Sequence, residues 1–79
     1  MSYDDILDQV IEVIKEVMKV DDIDEETYMQ EDLHIESLEF YALLAKLEKK
    51  FKIRIPERVL AQVETVGDIA DEVEKILSR

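Results

Sequence analysis

The sequence predicts an all-helical fold, a small four-helix bundle of three longer helices and one short helix. Three observations carry that expectation. Apolar residues recur at helical spacing in three long segments. Only Gly67 and Pro56 punctuate the 79-residue chain. No stretch alternates apolar and polar residues for long enough to read as a paired strand.

The first helix is expected from about Tyr3 to Lys19, because Leu7, Val10, Ile11, Ile14, Val17 and Met18 fall on one face. Ser2 is placed to cap it, with Asp4 and Asp5 near its positive end. A long acidic stretch follows from Val20 to Glu36, in which Val20, Ile23, Leu33 and Ile35 are expected to anchor a loop to the core. Ordered loops of that length are often functional. The second helix is expected to start near Ser37, a favoured N-cap residue type, with Phe40, Leu43, Leu44, Leu47 and Phe51 inward. It ends near Lys50 to Lys52, where cations suit the helix dipole. Ile53-Arg54-Ile55 reads as extended, since the residue before a proline avoids the helical region, and Pro56 can open a short helix through about Gln62. Thr65 with Asp68 three residues on resembles an acidic capping box, starting a last helix with Ile69, Ala70, Val73, Ile76 and Leu77 inward. No internal repeat, low-complexity tract or domain boundary interrupts the chain, so residues 1–79 read as one domain.

Composition narrows the function. A chain this short buries only about 60% of the surface its unfolded form exposes, which leaves little room for a deep catalytic cleft. An autonomous enzyme is not expected. With 21 acids against 10 bases the net charge is −11, which repels nucleic-acid phosphates and anionic lipid surfaces and favours basic patches on other proteins. No segment is apolar enough to insert in a membrane, no secretory signal opens the chain, and a soluble, cytoplasmic monomer is expected. With no cysteine, disulfides and thiolate metal sites are excluded, and any thiol chemistry has to be imported. Charge is also lopsided. Residues 1–45 hold fourteen acids and two bases, whereas Lys46 to Arg58 hold six bases (Lys46, Lys49, Lys50, Lys52, Arg54, Arg58) and two acids, Glu48 and Glu57. That basic corner is either a solvated helix end or a docking surface distinct from the acidic loop.

Asp22, Asp24 and Glu26 have the spacing of calcium ligands, but an EF-hand would need glycine where Thr27 stands and a carboxylate where Leu33 stands. A solvated acidic loop is the preferred reading, with no metal site. His34 and Ser37 do not read as a base and nucleophile, because no glycine lies near the serine to build an oxyanion hole. The lone His34 reads as a solvent-facing loop residue. Ser37 is either a plain helix cap or the attachment point of a phosphate-bearing group, which a helix N-terminus favours.

The run Asp32-Leu33-His34-Ile35-Glu36-Ser37-Leu38-Glu39-Phe40, followed by Leu47-Glu48-Lys49-Lys50-Phe51, Ile53-Arg54-Ile55-Pro56 and Thr65-Val66-Gly67-Asp68, resembles the acyl carrier protein family over nearly the whole chain. The resemblance implies a bundle whose Ser37 takes a 4'-phosphopantetheine arm from coenzyme A, attached by a phosphopantetheinyl transferase that uses Mg²⁺. The arm ends in a thiol on which acyl groups travel as thioesters, for fatty acid, polyketide or related lipid biosynthesis, while the protein itself catalyses nothing. Apolar residues between the helices are expected to part to shelter an acyl chain. The resemblance also implies docking through Glu36, Leu38, Glu39 and Tyr41 onto basic patches of acyl-transferring and acyl-modifying enzymes. Three departures stand out: Glu36 replaces the usual aspartate, His34 stands where glycine is frequent, and Lys46 to Arg58 is basic where the family is commonly acidic. The last favours a specialised carrier. Two alternatives share this bundle: an arm-free interaction or scaffold module, and a carrier of amino acids or other non-fatty acyl groups.

Overall fold

Ser2 starts the first helix as expected, its hydroxyl oxygen accepting the Asp5 N–H at 3.2 Å. The computed structural model describes the backbone of residues 1–79 and every side chain except that of Leu60. Helix α1 spans Tyr3–Met18 and ends on Lys19, whose φ of 56° places it in the left-handed region. Helix α2 spans Ser37–Phe51, and α4 spans Val66–Leu77. Between them α3, Val59–Gln62, is a single helical turn. The all-helical class therefore holds, as three helices of 12 to 16 residues and one short turn. Pro56 does not open that turn as expected; its carbonyl accepts the Val59 N–H at 3.0 Å, forming a separate turn ahead of it.

The core is apolar throughout. Helix α1 packs on both α4 and α2. Its buried residues are Ile6, Val10, Val13 and Ile14, so the inward face is rotated from the expected one, with Leu7, Ile11, Val17 and Met18 half-buried at its edge. The cause is that α1 contacts two helices at once, which widens the buried stripe to both sides of the Val10–Ile14 line. In α2 the expected five residues Phe40, Leu43, Leu44, Leu47 and Phe51 are all buried. In α4, Ile69, Ala70 and Val73 are buried and Ile76 is half-buried against the core, whereas Leu77, the last residue of the helix, is 38% exposed.

The connection from α1 to α2 is ordered by backbone hydrogen bonds. Met29 N–H donates to the Glu64 carbonyl at 2.8 Å and Val66 N–H to the Thr27 carbonyl at 2.9 Å. These flank a single antiparallel bridge between Tyr28 and Thr65, and no strand forms among the described residues. Of the expected anchors Ile35 is buried, whereas Val20, Ile23 and Leu33 are half-buried. Met29, at 1% exposure, is the deepest anchor and has no periodic neighbour to mark it in sequence. Among the described residues, no helix is long and apolar enough to cross a membrane.

Candidate functional site

Ser37 is the first residue of α2 and not its cap. Glu36 holds the cap position in extended geometry, φ −95° and ψ 162°, and its N–H donates to Glu39 Oε1 at 2.9 Å. Three residues on from Glu36 stands Glu39, which closes a reciprocal capping box, whereas Phe40 could not close one for a cap at Ser37. The helix ladder begins with Phe40 N–H donating to the Glu36 carbonyl at 2.9 Å. The N–H groups of Ser37 and Leu38 therefore lack a backbone acceptor. Ser37 is exposed, and its hydroxyl has no hydrogen-bond partner among the described residues.

That arrangement suits a phosphate ester. Two free N–H groups and the positive end of a 15-residue helix favour negative charge beside the Ser37 oxygen. A recess of about 200 Å³ adjoins the serine, lined by Met29, Gln30, Glu36, Phe40 and Val63, with apolar side chains at its floor. The residues present thus fit a covalently attached phosphate-linked arm.

The other expected residues sit around this point. Leu38 is 83% exposed, and Tyr41 is 45% exposed with its hydroxyl donating to Glu57 Oε1 at 2.6 Å. The hydrogen bond to the Glu57 carboxylate raises the pKa of that phenol above its ordinary value. Glu36 is exposed, whereas Glu39 is half-buried and turned back onto the helix start. His34 is exposed and has a φ of 52°, the left-handed conformation that a side chain disfavours, which gives a physical reason for glycine at that position. Asp24 Oδ1 accepts the Glu26 N–H at 2.8 Å, and the Asp24 N–H donates to Thr27 Oγ1 at 2.9 Å. The acidic loop is thus a hydrogen-bonded turn in which Asp24 serves the backbone. Among the described residues, no three carboxylates or imidazoles converge as metal ligands would.

One lock escaped the sequence reading. The Tyr3 hydroxyl donates to Glu25 Oε2 at 2.8 Å, and Gly67 N–H donates to the Glu25 carbonyl at 2.9 Å, so one loop residue ties the first turns of α1 and α4. Burial and the Glu25 carboxylate both raise the Tyr3 pKa. The only signal in sequence is the lone glycine, Gly67, two residues after Thr65.

Fold and site together are those of a small helical bundle that presents an exposed serine suited to a phosphate-linked group. A family model described as "Phosphopantetheine attachment site" matches residues 8–73. The acyl carrier protein of Borreliella burgdorferi is 38% identical over 77 residues, covering 95% of this chain and 96% of its own. That of Wolinella succinogenes is 37% identical, covering 87% and 93%. The meromycolate extension acyl carrier protein of Mycobacterium leprae is 30% identical, covering 96% of this chain and 68% of its own. A solved structure of a chain assigned as an acyl carrier protein in Mycobacterium tuberculosis superposes with a TM-score of 0.82 at 27% identity, covering 89% of this chain and 96% of that one. The chain belongs to the acyl carrier protein family, and it is a phosphopantetheine-bearing acyl carrier. The matches support the arm-bearing reading over the arm-free scaffold.

Proposed function

We propose that Ser37 is the attachment point of the 4'-phosphopantetheine arm, and that residues 1–79 work as one cytoplasmic, monomeric carrier domain without catalytic activity of its own. In this reading the α3 turn counts as the short third helix of the family's four-helix bundle. The observation that carries the proposal is the exposed Ser37 hydroxyl beside two free backbone N–H groups at the start of α2. The arm supplies the thiol that this cysteine-free chain lacks. The protein's own part is to present the serine on a rigid turn, favour the phosphodiester charge, and offer the Met29–Phe40–Val63 recess to what the arm carries.

Partner enzymes, the phosphopantetheinyl transferase first among them, are read as docking over Glu36, Leu38, Glu39 and Tyr41. Leu38 and Tyr41 provide exposed apolar area next to the serine, and the carboxylates steer basic surfaces toward it. The basic stretch after Ala45 favours a dedicated acyl or lipid-modifying pathway over general fatty-acid elongation.

The test is intact mass after incubation with coenzyme A, Mg²⁺ and a broad-specificity phosphopantetheinyl transferase. The wild-type chain is expected to gain one phosphopantetheine and Ser37→Ala none. A gain retained in Ser37→Ala, or no gain in folded wild type, would overturn the assignment.

A further inference from the structure

The outward face of α2 reverses charge along its length. Leu38, Ala42, Ala45 and Lys49 follow each other at i, i+4, i+7 and i+11, which places them in one line on a helix, and all four are exposed. The line starts at the acidic, apolar end beside Ser37 and ends among Lys46, Lys49 and Lys50. The two alanines leave the surface between its ends smooth. Ten residues separate Glu39 from Lys49, which is about 15 Å along the axis.

A single carboxylate, Glu16, serves the cations at the far end. Lys46 pairs with Glu16 at 2.8 Å, and among the described residues no other base from Lys46 to Arg58 lies in an ion pair. The segment's own two acids are engaged elsewhere. Glu48 Oε2 accepts the Ile55 N–H at 2.7 Å, and Glu57 Oε1 accepts the Tyr41 hydroxyl at 2.6 Å. In a chain with 21 acids, a group of exposed cations kept clear of all but one of them is a surface feature in need of a counterpart.

We infer that the enzymes docking at the start of α2 carry an acidic patch opposite Lys49 and Lys50, about 15 Å from the basic patch that meets Glu36 and Glu39. This rests on Ser37 as the working end, since any enzyme acting there lies against the same helix. An anionic bilayer presents one sign of charge and would repel the Glu36–Glu39 end, so a protein of mixed charge is the fitting occupant. The cationic end rejects partners that are basic throughout, which makes it a determinant of partner choice.

The probe is a pair of synthetic helical peptides the length of α2, one lysine-rich throughout and one lysine-rich in one half and glutamate-rich in the other, titrated into labelled protein and followed by NMR. Wild type is expected to prefer the mixed peptide by about tenfold. Lys49→Glu/Lys50→Glu should reverse that order, and Lys49→Gln/Lys50→Gln should abolish the preference without reversing it, both with wild-type helicity by circular dichroism. A wild type that prefers the lysine-rich peptide, or a ranking unchanged by the variants, would overturn the inference. So would binding to vesicles of equal parts phosphatidylglycerol and phosphatidylcholine, or self-association in sedimentation, that is lost in Lys49→Glu/Lys50→Glu. Arm attachment to wild type is read by mass in the same preparation. Failure of the Ser37 assignment therefore shows as no mass gain, and failure of this inference shows in the binding measurements alone.

Discussion

Gly67 lies so close to Glu25 that a Cβ on it would stand 2.8 Å from Glu25 Cγ and 3.1 Å from the Glu25 carbonyl oxygen. The glycine is required by that approach and not by its backbone angle, since no glycine here has positive φ. Alanine would gain helix propensity but force the loop away from the first turn of α4, a crowding that outweighs the gain. Gly67→Ala is expected to lose about 1 kcal/mol in chemical denaturation. Adding Glu25→Ala should recover part of that loss, because it removes the nearer contact; a purely additive double variant would show that the two residues do not meet.

Asp68 closes the capping box of α4. Its Oδ2 accepts the N–H groups of Glu64 at 2.9 Å and Thr65 at 3.0 Å, and its own N–H donates to Thr65 Oγ1 at 3.1 Å. The backbone hydrogen bond from Glu64 leads the effects that hold its pKa below the ordinary aspartate value of 3.8. Because the folded value is the lower one, the stabilisation is complete above the ordinary value and is lost as pH falls through the folded value. Asp68→Ala should cost about 1 kcal/mol at neutral pH. Melting curves of wild type and variant, taken at decreasing pH, should converge in the acid range below 3.8; a gap that stays constant there would refute the role of the charge.

Glu36 caps α2 from a position where the shorter aspartate is the better cap, because its oxygen reaches the N–H two or three residues on without bending a longer chain. Glu36→Asp should stabilise the fold by roughly 0.5 kcal/mol. It should also speed arm attachment, since it restores the residue usual in the family. An unchanged melting temperature would mean that the Glu39 contact alone fixes this helix start.

Fourteen acids crowd residues 1–45, and among the described residues Glu16 alone of them lies in an ion pair. Hydrogen bonding to Lys46 holds the Glu16 pKa below its ordinary value. Self-repulsion among the rest should yield to screening, so raising salt from low ionic strength, or adding Mg²⁺, is expected to raise the melting temperature by several degrees. A melting curve indifferent to both would show the acids to be too dispersed to repel.

The three long helices were legible because each carries its own code, an apolar stripe, a cap and a dipole-matched end, whereas the α3 turn has neither a side-chain cap nor charged ends. Ser2, Thr65 and the five buried residues of α2 were readable that way. The buried stripe of α1 lies part of a turn from the one its periodicity predicts, because periodicity marks an apolar face but not how many neighbours share it. Ser37 was legible as the start of α2, but its freedom from the cap was not. That freedom depends on Glu39 reaching back to Glu36, one register earlier than serine preference suggests. Met29 was missed because a single apolar residue in a loop has no period to betray it.

By itself the sequence determined the all-helical class, the three long helices, the place of the serine and the split of charge along the chain. All of these follow from interactions within a few residues, or from composition. Only the tertiary structure decided which groups remain free. Glu25 meets Gly67, Tyr41 meets Glu57, and Glu48 meets Ile55 across separations that local rules do not reach. By engaging some hydroxyls and carboxylates and not others, these contacts leave the Ser37 hydroxyl, Lys49 and Lys50 open to partners.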